Sequence, residues 1–173
     1  MKALLKIHSN IIEEMQLHFA SLPNEAKYAE KTAPNAWSRK EIIGHLIDSA
    51  LNNHRRFLLA VDQKKLVFAG YQQVDWVLRN GYQNRPINEL FQTLVLLNQE
   101  FYFLVKGMDF AFLTRKTRSH NFNEIGMNPI KKGEPSSLSY LFWDYLFHLE
   151  HHLIQVFPDY IRQLKPKSNY KCI

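Results

Sequence analysis

Between Ser137 and Phe157 the chain reads SLSYLFWDYLFHLEHHLIQVF. Leu138, Phe142, Leu146, Leu149, Leu153 and Val156 recur at three- and four-residue spacings, so the stretch predicts one α-helix that buries this stripe. It also holds three of the eight histidines of the chain, His148, His151 and His152. Residues four apart share a helix face, which lets His148 and His152 offer two imidazoles to one ion. At about 100° per residue both border the apolar stripe, whereas His151 falls opposite its centre and is the weaker candidate. Glu150 points to the far side, unlike the zinc-protease pattern, in which a Glu directly follows the first His. Three readings stand at this point: half of a metal site, helix-boundary histidines satisfied by hydrogen bonds, or a solvated surface cluster. A third ligand from elsewhere would decide between them.

The composition sets the frame. A chain of 173 residues, 46% hydrophobic and 13% aromatic, predicts a single well-packed domain over residues 1–173. Six glycines set against long helix-forming runs point to an all-α fold. The apolar runs are broken by charges before membrane-spanning length, and Met1-Lys2-Ala3-Leu4-Leu5 does not continue into a secretion signal, so a cytoplasmic location away from membranes is expected. The one cysteine, Cys172, excludes an internal disulfide and leaves a metal site to His, Asp or Glu. The formal charge of +6 is spread over short groups such as Arg55-Arg56 and Lys131-Lys132. It reads as a solvated surface, and no specific nucleic-acid partner is expected.

In chain order, Leu4, Ile11, Met15 and Phe19 mark a first helix from about Ala3 to Ser21, with His8 and His18 on its core edge. A polar connection from Leu22 to Ala36 follows, anchored by Trp37. Ser38-Arg39-Lys40-Glu41 matches a capping box and opens a second helix that runs to about Val61. Its expected core stripe is Ile43, Leu46, Ile47, Ala50, His54, Phe57 and Leu58. His45 lies on a nearly opposite face in a polar row with Ser49, Asn52 and Arg56. Taken alone the row is a solvent face; beside the His148/His152 pair it could instead wall a polar cleft.

A long connection from Gln63 to Arg85 contains a short helical piece near Tyr71 to Leu78, ended by Asn80-Gly81. Pro86 opens a third helix, whose Leu90, Leu94, Leu97, Phe101 and Leu104 continue to Gly107. Residues 108–135 read as a long loop with extended pieces, from which Arg115, Arg118 and His120 could reach the mouth of the cleft. After the histidine helix, Asp159 to Leu164 are expected to form a last short helix before a polar tail.

Four features, in this order and separation, resemble the DinB/YfiT-like superfamily: Trp37-Ser38, the run Gly44-His45-Leu46-Ile47-Asp48-Ser49, Asp75-Trp76-Val77, and His148-Leu149-Glu150-His151-His152 followed by Leu-Ile-Gln. The resemblance covers most of the chain. It implies a four-helix bundle of up-down-down-up type in which His45, His148 and His152 hold a divalent metal, with His151 spare. One departure is that no extra acid is marked as a base, although Asp144 lies near the His148 face.

Three imidazoles leave coordination positions open, the arrangement of a catalytic rather than a closed structural metal. The resemblance further implies a metal-dependent hydrolase or a transferase using a low-molecular-weight thiol, acting on a small molecule. Zinc or nickel would be the ion, with Asn52, Arg56 and Tyr145 contacting substrate. A reading of another class is a non-catalytic metal-binding or stress-linked helical module, for which a homodimer is one option.

Overall fold

A computed structural model describes residues 1–20 and 25–164. The end of the first helix at Ser21, the polar tail and Cys172 fall outside them. The helices are α1 (Lys2–Ala20), α2 (Ala26–Ala29), α3 (Arg39–Asp62), α4 (Gln73–Asn80), α5 (Ile87–Gly107), α6 (Phe110–Thr114), α7 (Phe122–Ile125) and α8 (Leu138–Val156). Among the described residues there is no strand, only two isolated bridges, Leu66 with His120 and Thr117 with Ser136.

The long helices α1, α3, α5 and α8 form a four-helix bundle, and ring contacts fix their directions. His18, near the end of α1, stacks on Phe157 just past the end of α8, so these two run parallel. Phe19 of α1 stacks on Phe91 near the start of α5, which is therefore antiparallel to α1. His45 meets His152, and Phe57 meets Phe142, so α3 and α8 are antiparallel. The order is up-down-down-up.

Two successive parallel helices require a long return. At 1.5 Å per residue the 24-residue α3 is about 36 Å long, and the chain must travel back that distance before α5 begins. Residues 63–86 do so, carrying α4 and a 3₁₀ turn at Tyr82–Asn84. Gly81, at φ 62°, ends α4 in the left-handed region that suits glycine. The return is fastened to α3 where the Tyr82 ring lies flat against Gly44 and its hydroxyl donates to Asp48 Oδ1 at 2.7 Å. No side chain larger than hydrogen fits at position 44.

The capping box at α3 is complete. Glu41 N donates to Ser38 Oγ at 3.2 Å, and Ser38 N donates to Glu41 Oε2 at 2.8 Å. Phe57, Phe91, Phe101, Phe142 and Trp143 lie at the centre of one continuous core. Three local expectations fail. Leu58 is 48% exposed rather than in the core stripe, because α3 turns its Phe57 and Ala60 flank inwards. Residues 108–135 are not all loop, since they contain α6 and α7. Residues 159–164 are not helical. There the buried Glu150 carboxylate accepts from Tyr160 Oη, Gln163 N and Leu164 N, and these bonds hold the segment in a non-helical path.

Candidate metal centre

His45 enters from α3 and is 1% exposed; His148 and His152 enter from α8, one turn apart. Of the polar row on α3, His45 meets the two histidines of α8, and Ser49 and Arg56 line a cavity together with them. One nitrogen from each imidazole lies within 4.8 Å of the other two. His45 Nε2 and His148 Nε2 are 3.0 Å apart. The three rings meet edge-on, with centroids 5.0, 4.9 and 4.7 Å apart. Two nitrogens bound to one tetrahedral zinc at about 2.0–2.1 Å lie about 3.3 Å apart, so the spacing of the described pair matches a shared ion closely.

The outer nitrogens explain the ring orientations. His152 Nδ1 lies 3.2 Å from Gln155 Oε1, an acceptor, so Nδ1 carries the proton and Nε2 keeps its lone pair. The Gln155 amide then donates to His151 Nε2 at 3.1 Å. His151 is thus engaged beside the cluster rather than in it. Ser49 Oγ approaches His148 Nδ1 at 3.4 Å. His45 Nδ1 is buried with no partner among the described residues, and the Trp37 ring at 5.0 Å holds this imidazole by packing.

Burial keeps the cluster uncharged. Desolvation, then the nearby His152, pushes His45 down to about 3; desolvation is also the main cause that brings His152 to about 4. Desolvation and the three neighbouring imidazoles hold His148 well below the usual histidine range. Neutral imidazoles present lone pairs, as ligation requires. Donor set, spacing and protonation all fit a divalent ion.

A cavity of about 310 Å³ opens beside His148 and His152. Of the residues expected to contact substrate, Arg56 and Tyr145 line it. Asn52 does not: its amide donates back to Asp48 O at 2.8 Å, and Asn53 lines the cavity instead. Arg115, Arg118 and His120 also stay away from it. Arg118 donates to Gly133 O, and His120 Nε2 lies 2.7 Å from Glu134 O. The 108–135 segment contributes Glu124 to Met127 in their place.

Asp144, also in the wall, is engaged as a structural acceptor: it takes hydrogen bonds from Met127 N, Asn128 N and Asn128 Nδ2 at 2.9, 2.7 and 3.0 Å. Sequence reasoning missed Tyr71 and residues 124–127 as wall residues, because they sit in the long connections between the bundle helices, where local pattern does not show which long helix they pack against. Gln155, three and four residues past His152 and His151, was open to discovery by spacing alone.

No family model matches the chain. It is similar to a curated protein of Halalkalibacterium halodurans described as a "putative metal-dependent hydrolase", with 24% identity over 139 residues that span 80% of this chain and 74% of the relative. A solved structure, YfiT of Bacillus subtilis, superposes with a TM-score of 0.71 at 13% identity, over 91% of this chain and 83% of the other. That protein is described as a probable metal-dependent hydrolase with an unusual four-helix bundle topology.

Proposed function

We propose that the chain, a four-helix bundle with the fold of YfiT, is a DinB/YfiT-like metal-dependent hydrolase of a small molecule, with His45, His148 and His152 holding a divalent ion. The observation that carries this reading is the convergence of three neutral imidazoles from two helices at the edge of a cavity. Three protein ligands leave the ion open to a further one, which separates a catalytic from a structural site. A divalent ion held there supplies Lewis acidity, making water or a thiol nucleophilic near neutral pH. Zinc and nickel are the ions to test, since imidazole donors accommodate both.

The residues around the ion have separable tasks. Gln155 fixes the His152 tautomer, so that Nε2 faces inwards. Ser49 and Trp37 hold the other two rings. Arg56 and Tyr145 bind substrate from the cavity wall. Tyr145 is held for this by its hydroxyl, which donates to Asn98 Oδ1 at 2.7 Å.

One observation favours a second reading, a transferase that uses a low-molecular-weight thiol. Asp144, the buried carboxylate of the cavity, already accepts three N–H donors and is poorly placed to act as a base. A thiol that ionises at the metal needs no such base.

The first test is metal content by elemental analysis of the untagged protein, His45→Ala and His148→Ala. About one ion per chain, lost in both variants while circular dichroism stays helical, supports the site. Protein that takes up no metal after reloading sinks it. Ester and thiol-acceptor substrates, assayed with and without chelator, then separate the two enzymes. Metal uptake without turnover would leave a non-catalytic module.

A further inference from the structure

Arg56 is the only permanently charged cation among the described residues that line the cavity. It is 6% exposed. Its guanidinium donates to Asn53 Oδ1 at 3.3 Å and to Ala69 O at 3.2 Å, both neutral acceptors. Its Nε is buried with no partner, and no carboxylate of the described residues forms an ion pair with it. Asp144 acts on it only through space, and the oxygens of Asp144 are occupied by the 127–128 segment.

A guanidinium does not shed its proton at any working pH, so it carries a full charge into this wall. Burying a charge without an opposite one is costly, and replacing such a group by an apolar side chain of similar size is often neutral or stabilising. Through Ala69 O the hydrogen bonds of Arg56 tie α3 to the crossover, but both acceptors are neutral and leave the charge itself unbalanced. An anionic group entering the cavity would supply the missing partner, and the planar fork of the guanidinium matches a carboxylate.

We propose that Arg56 is a specificity-determining residue that anchors a carboxylate of the substrate, whose reacting group lies at His45, His148 and His152. The proposal rests on the cavity being the substrate site, as read above. It narrows the substrate class to small carboxylic acids. The charge of +6 on the whole chain acts in the same direction by drawing anions towards the protein.

Isothermal titration of the zinc-loaded protein with succinate tests this, against its neutral diamide, succinamide, and inorganic phosphate. Succinate should bind, the diamide should not, and Arg56→Met should weaken succinate at least about tenfold, the loss expected when one charged hydrogen-bonding partner goes. Arg56→Lys, which keeps the charge without the planar fork, should fall between and serves alone if Arg56→Met does not fold. The melting temperature of unliganded Arg56→Met should be unchanged or higher, an outcome that a purely structural arginine would not give. Equal succinate affinity in wild type and variants, or equal binding of the diamide, overturns the proposal. Phosphate binding tighter than succinate with the same Arg56 dependence overturns the carboxylate in favour of a phosphoryl group. Zinc content, measured on the same samples, keeps the two ideas apart: protein without zinc refutes the metal reading, while titration of the metal-free protein still tests Arg56.

Discussion

His8 shows what a single buried histidine does when no metal is at stake. It sits fully buried on α1 among Phe101, Tyr102, Phe142 and Tyr145, with Nε2 3.1 Å from Asn98 Oδ1. Desolvation lowers it to about 4, against 6.5 in the unfolded chain. Between those values the unfolded state binds the extra proton, so stability falls as pH drops from about 6.5 to about 4 and is flat for this group on either side. The size is roughly 3 kcal/mol, from about 1.4 kcal/mol per pKa unit. His8→Leu leaves Asn98 satisfied by Tyr145 Oη and Leu94 O, so urea denaturation at pH 7 and pH 4 should show a pH-dependent loss smaller by about that amount. Equal losses in the two proteins would mean that His8 takes up its proton as readily in the fold as in the unfolded chain. The sequence placed His8 at a core edge but gave no sign of Asn98, ninety positions away, which decides how it is satisfied.

At the level of elements, what was legible followed from period and punctuation. The four long helices, the capping box at Ser38 and the stop at Gly81 each rest on interactions within a few residues, which the sequence displays directly. The covered face of His45 was not legible from α3 alone. What buries it comes from α8 and from the crossover, and a helical wheel does not show what lies across from it. Gly44 carries the most direct test of that crossover. A Cβ there would stand 2.7 Å from Tyr82 Cβ and closer still to its ring, so α3 or the 3₁₀ turn must move. Gly44→Ala should cost roughly 1–3 kcal/mol, the usual range for overpacking, read as a lower urea midpoint. Tyr82→Ala in the same chain should recover part of that loss, although it leaves Asp48 without its phenol donor. Additive losses in the double variant would mean that Gly44 and Tyr82 do not press on one another.

For the whole molecule, the bundle and the histidine cluster are energetically separable. Phe57, Phe101, Phe142 and Trp143 form a core that no ligand completes, so the metal-free chain should stay folded under chelation. Among the described residues no helix is long and apolar enough to cross a membrane. An ion that binds only the folded state adds RT ln(1 + [L]/Kd), about 2.7 kcal/mol at a hundredfold excess over Kd. For a chain of this size that raises the melting temperature by roughly 5–10 °C. Calorimetry should show this rise with zinc or nickel and its reversal by chelator, with no rise in His45→Ala or His148→Ala. Proton competition gives a sharper form of the same experiment. Ordinary histidines near 6.5 would surrender a metal as pH falls through 6, but His45 near 3 and His152 near 4 stay neutral well below that. Metal content should therefore hold at about one ion per chain down to roughly pH 5, where His45 and His152 are still unprotonated. Release already complete at pH 6 would show that the three imidazoles are hydrated in solution and that the cleft is more open than its packing against Trp37 and Gln155 implies.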